Sequence, residues 1–168
     1  WLLSGLLPWL FFANVVNLGM ASLVSNAGLI TKVWFPRVVL PLSVVGSSAW
    51  NWLFEMAILV VALSIVGAFV LPWIPLVIVF MALLAVFAVG VAMLLAIANV
   101  HFRDTEHFLS LALQFWMYLS PIIYPISLVR EQSAQLGPLL GTPITLEGIY
   151  ALNPMVHFVD VFRSLLYD

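Results

Sequence analysis

Glu55 is the only charged residue between Val38 and Phe102. Asn51 lies one helical turn before it, so a helix carries both on one face. An ionisable side chain at membrane depth turns toward protein or water, because hydrocarbon solvates it poorly. Two chemistries fit the pair: a polar contact in a transport path or gate, or a protonated carboxyl hydrogen-bonded inside a helix bundle. A second cluster, His101, Asp104, Glu106 and His107, has the residue types of a metal site. Its three-residue steps drift around a helix, and it lacks the His-Glu-x-x-His pattern, so it reads as a solvated turn. There is no cysteine, which removes thiol catalysis and disulfides. No Gly-x-x-x-x-Gly-Lys-[Ser/Thr] string occurs, so the chain has no phosphate cradle for ATP.

The elements that must position these groups are set by composition. Of 168 residues, 65% are hydrophobic and 7% charged, against roughly 45–50% and 25% in soluble domains. A domain of this size exposes too much surface for such a composition to face water, so the solvent is lipid. The net charge of −2 gives no support to nucleic-acid binding. Crossing the hydrocarbon takes about 20 apolar residues. The charge-free runs place spans at about 6–24, 38–71, 74–98 and 108–126, giving four crossings in an all-α integral membrane fold. Pro72 and Pro75 divide the second from the third. The first residues have no positive n-region and are not read as a signal peptide. The chain opens without Met inside an apolar run, as a fragment does. Residues 1–168 read as a single transmembrane domain.

The connectors fall at 25–37 and 99–107, with an outer segment at 127–168. Lys32, Arg37 and Arg103 put both connectors on the cytoplasmic side, and the Pro72 turn, which has no cation, outside. The segment from Arg130 to Ile149 reads as an irregular loop. Asn153 then caps a short helix with Pro154 at its first position. Its apolar positions, Val156, Val159, Phe162 and Leu166, recur at helical spacing. At about 12 residues this helix is too short to span, so it lies at the interface or re-enters.

The first connector is too apolar for a plain loop. Ser25 or Asn26 is placed to cap a short helix whose greasy face is Leu29, Ile30, Val33 and Trp34, with Pro36 as its stop. It is either a docking helix for a partner's cleft or an interfacial helix anchored by Trp34 and Lys32. In the fourth span, Phe115, Trp116 and Tyr118, with Tyr124 beyond, offer rings on which sugar C–H faces stack, and Gln114 or Ser120 offers a polar rim. The alternative is an aromatic belt or packing within the bundle. The three rings cannot all face one way on a helix.

Several strings resemble the permease subunits of type-2 ABC exporters of lipid-linked polysaccharides such as O-antigen, teichoic acid and galactan. They are Gly5–Asn14, Ser22–Arg37 with Leu40-Pro-Leu-Ser43, Asn99-Val-His-Phe-Arg-Asp104, Leu119-Ser-Pro-Ile-Ile-Tyr-Pro125, Leu152-Asn-Pro-Met155 and Phe162–Tyr167. They occur in order along nearly the whole chain. The resemblance implies a six-helix permease whose first and sixth spans lie before Trp1 and after Asp168, and a re-entrant hairpin near Tyr150–Tyr167. It also implies that Asn26–Pro36 is the coupling helix. Asn26, Leu29, Ile30, Lys32, Trp34, Phe35, Pro36 and Arg37 would then meet a separate ATPase subunit, with a second contact at Arg103 and Asp104. A dimer of this subunit would surround one channel, for which Asn51, Glu55, Phe115, Trp116, Tyr118 and Tyr124 are candidate lining. ATP and Mg would bind the partner, leaving no cofactor, metal or catalytic residue on this chain.

The expected activity is export of a lipid-linked glycan across a bacterial inner membrane, with membrane lipids as further partners. The rivals are a membrane-embedded enzyme of glycolipid synthesis using Glu55 or the His101–His107 cluster, and a passive channel or secondary transporter.

Overall fold

In the computed structural model, residues 1–67, 70–102, 104–136 and 145–166 are described, and all of their regular structure is helical. Three helices are long and apolar enough to cross a membrane. They are α1 (Leu2–Ser25), α3 (Val39–Ile65) and α4 (Ile74–His101). The shortest of them has 24 residues, about 36 Å at 1.5 Å per residue, against a hydrocarbon core of about 30 Å. The short α2 (Ala27–Ile30) joins α1 to the start of α3. Beyond α4 come α5 (Thr105–Leu119), α6 (Ile126–Leu136), α7 (Leu146–Ala151) and α8 (Pro154–Leu166).

Three expectations are corrected. The second span stops at Ile65, not near Leu71: Gly67 takes a φ of +95°, the left-handed turn that closes many helices. Pro75 falls in the first turn of α4, where its missing N–H costs nothing, so proline starts a helix here and glycine ends one. The expected fourth span is a 15-residue helix that stops at Leu119, with Ser120 extended. Its length of about 22 Å falls short of the hydrocarbon thickness. Of the loop expected from Arg130 to Ile149, residues 130–136 belong to α6 and residues 146–149 to α7; residues 137–144 of it lie outside the described residues.

Helix α1 is the hub, packing against α3, α4, α5 and α8. Its contact with α4 is unusually close. A Cβ added to Gly19 would stand 2.7 Å from the Cβ of Ala92. Ala88, Ala92 and Ala96 recur every four residues on α4 and are all buried. Small residues at that spacing let backbones approach, which drives helix association in lipid through dispersion rather than water exclusion. Elsewhere the core is aromatic. Phe11 stacks on Trp52 at 4.1 Å between centroids, and Phe162 of α8 meets Trp52 edge-on at 5.8 Å. Phe12 stacks on Phe87, which also meets Phe158 of α8.

The two connectors share one end of the bundle, since Ala27, Thr31, Arg37, Asn99 and Glu106 border a common recess. The start of α1 lies at the other end, where Gly5 and Trp1 meet Arg163 of α8.

Candidate functional site: a polar span, an exposed connector and a clasp between α5 and α8

The first connector bridges the hub helix and α3 directly. Asn26 occupies the cap position, but its side chain donates back to the carbonyl of Ser22 at 2.8 Å instead of capping. Helix α2 is one turn long, shorter than the sequence pattern suggests. Val33 and Trp34 fall beyond it. Ile30, Thr31 and Val33 are β-branched and weak helix formers, and the Thr31 hydroxyl bonds back to the Gly28 carbonyl at 3.1 Å. Leu29, Lys32, Pro36 and Arg37 are exposed, Ile30 and Phe35 are half-buried, and Trp34 is 96% exposed. Asp104 is exposed beside them at the start of α5, whereas Arg103 lies outside the described residues. The α4–α5 link is made by the Thr105 hydroxyl donating to the Phe102 carbonyl at 2.6 Å.

On α3, Trp52, Met56 and Leu59 turn inward. Asn51 and Glu55 therefore face outward, and both are exposed. They sit near the middle of a 27-residue helix. Among the described residues the Glu55 side chain makes no hydrogen bond, and it faces away from the bundle. Ser43 and Ser47 extend the same strip toward the connector end. Their hydroxyls already donate to the carbonyls of Leu40 and Val44.

The aromatics of α5 divide by face. Phe115 and Tyr118 point outward, with Phe115 69% exposed. Trp116 turns inward, edge-on to Trp9 and Phe12. Its indole N–H donates to Oδ1 of Asn153 at 2.8 Å. The same oxygen accepts from the backbone N–H of Met155 at 3.0 Å, which is the cap expected for α8. The Asn153 amide donates to the Ser120 hydroxyl at 3.0 Å, so Ser120 is buried rather than a free polar rim. Tyr124 donates to the carbonyl of Tyr118 at 2.8 Å, so the Tyr150 hydroxyl, also 2.8 Å away, donates to Tyr124. Partial burial holds the Tyr124 phenol above the ordinary tyrosine range.

Sequence reasoning missed Arg163. Its place among Val159, Phe162 and Leu166 suggests a polar face, yet it is 6% exposed. It donates to the carbonyls of Pro121 and Ile122 in the break after α5. Its guanidinium also lies 3.8 Å from the centre of the Trp1 ring, a cation–π contact. The signal was Pro121 itself: the irregular backbone that follows a helix broken at a proline has carbonyls that need a donor.

No protein-family model matches the chain. Curated relatives do. An O-antigen export system permease protein RfbA of Myxococcus xanthus is 30% identical over 98% of this chain. Two proteins of the same name from Klebsiella pneumoniae are 34% and 30% identical over 99% of it. The chain spans 59–60% of the length of these relatives. Three crossing-length apolar helices and the near-continuous alignment to these permeases agree on a multi-pass membrane protein. Over nearly all of its residues, the chain is similar to O-antigen export system permease proteins.

Proposed function

We propose that this chain forms part of the membrane channel of an ATP-driven exporter. In this reading it moves a lipid-linked polysaccharide from the cytoplasmic to the outer face of a bacterial inner membrane. The observation that carries the proposal is the exposed connector from Asn26 to Arg37. It stands at the end of the hub helix, and Leu29, Lys32, Val33, Trp34 and Arg37 on it are exposed among the described residues. A motor protein that pushes there moves α1 and α3 together, because both are covalently continuous with the connector. ATP hydrolysis belongs to that separate subunit, and no catalytic chemistry is assigned here.

The channel is built by two copies. The outward strip of Asn51 and Glu55 supplies polar lining, and Phe115 and Tyr118 supply faces for sugar rings. Trp116 and Tyr124 are reassigned from lining to scaffold, since each is already engaged within the chain.

The test uses the full-length permease with a candidate ATPase subunit. The two co-purify, and Lys32→Glu or Trp34→Ala weakens that association and lowers surface glycan while the permease still inserts. A permease that binds no ATPase yet turns over a lipid-linked sugar would overturn the reading in favour of a membrane enzyme.

A further inference from the structure

Two adjoining hollows open at the connector end. One, of about 590 Å³, is bordered by Ala27, Thr31, Arg37, Asn99 and Glu106. The other, of about 360 Å³, runs between α3 and α4 along Val38, Pro41, Ala96 and Ile97. Leu23, Arg37 and Val100 border both, so the two form one groove with the guanidinium at its waist. The hollow between α3 and α4 is mostly apolar, with Arg37 and His101 as its polar borders, and the other carries Thr31, Asn99 and Glu106.

Asn99 is the second observation. It is 6% exposed and borders the larger hollow, yet its side-chain amide makes no hydrogen bond among the described residues. The amide borders the hollow with no protein partner among the described residues, so it is available to a ligand that bonds it there. Arg37 makes no ion pair among the described residues either.

We propose that this groove holds one anionic phospholipid with a hydroxyl-bearing headgroup. An acyl chain lies along Pro41, Ala96 and Ile97. The phosphate accepts from Arg37. The headgroup hydroxyls meet the Asn99 amide and donate to the Glu106 carboxylate, which would repel a bare phosphate. Basic pockets between helices on one side of a membrane select anionic headgroups in this way. A soluble partner's loop fits less well. Half the groove lies along spanning helices, and the exposed Trp34 beside it has the chemistry of a residue at headgroup level. The proposal does not depend on the transport reading.

Native mass spectrometry of the full-length purified protein tests it, with phosphatidylglycerol and phosphatidylcholine of identical chains as probes. The wild type retains phosphatidylglycerol preferentially. Arg37→Gln lowers that retention about fivefold, Arg37→Lys restores most of it, and Arg130→Gln leaves it unchanged. Asn99→Leu weakens retention of phosphatidylglycerol but not of phosphatidic acid, which lacks the headgroup hydroxyls. Free glycerol phosphate does not compete, because it has no chain. Equal retention of the two lipids by the wild type, or no response to Arg37→Gln, overturns the proposal. So does displacement by free glycerol phosphate. Loss of ATPase association in Arg37→Gln with lipid retention intact would instead give the groove to the protein partner.

Discussion

Replacing Gly19 by alanine places a methyl group 2.7 Å from the Cβ of Ala92, where ordinary van der Waals contact begins near 3.4 Å. Neither atom can rotate away, since each is fixed to its backbone. The helices must separate by the missing distance, about 0.7 Å by subtraction at the least. A radial gap of that size forfeits roughly a quarter to a half of the dispersion energy of the contacts it opens. Overpacking of this kind costs about 1–3 kcal/mol. The upper part of that range applies here, because α1 touches every other long helix and dispersion is the main force joining helices in lipid. The assay is reversible unfolding in mixed micelles, read by Trp fluorescence, for Gly19→Ala, Ala92→Gly and the double variant. Gly19→Ala alone loses about 2 kcal/mol. The double variant recovers at least half of the loss, giving a coupling above about 1 kcal/mol. If Gly19→Ala is as stable as the wild type, or the two changes simply add, the close crossing of α1 and α4 is not what joins them.

Four further outcomes are expected. Asn153→Ala removes the α8 cap and the partners of Trp116 and Ser120, and lowers stability by about 2 kcal/mol in the same unfolding assay. Arg163→Met leaves the Pro121 and Ile122 carbonyls without a donor and costs about 3 kcal/mol, with faster protease cleavage near residue 125 as its local readout. Tyr124→Phe breaks the Tyr118–Tyr124–Tyr150 chain and costs only about 1 kcal/mol, leaving glycan export intact. If Glu55 lines a polar path, Glu55→Gln keeps most surface glycan and Glu55→Leu loses it at equal membrane abundance; equal export by both would remove Glu55 from the path.

The long helices were legible because composition, length and charge placement all report on the same solvent. Pro154 after Asn153 was legible for a local reason: the cap and the first turn are set by neighbours in sequence. The errors have physical causes too. An apolar run from Phe108 to Ile126 looks like a crossing by hydropathy, but Pro121 withholds a backbone donor and the helix gives way at Ser120. Gly67 ended α3 where the prolines drew attention. Trp116 and Phe115 are alike in composition and opposite in role, because only the packing of α5 on α1 decides which ring turns inward. The match of Gly19 to the alanines of α4 is a relation between two distant helices, and neither helix shows it alone. The direction of Glu55 was undecidable until Trp52 and Met56 were seen to take the inward face.

The break after α5 has a consequence for leakage. Irregular backbone in an apolar layer ordinarily draws water to its bare carbonyls. Here Asn153 reaches those of Leu119 and Arg163 takes those of Pro121 and Ile122, while Ile122 itself is wholly enclosed. The bend is thus solvated by the protein's own amide and guanidinium and can remain dry.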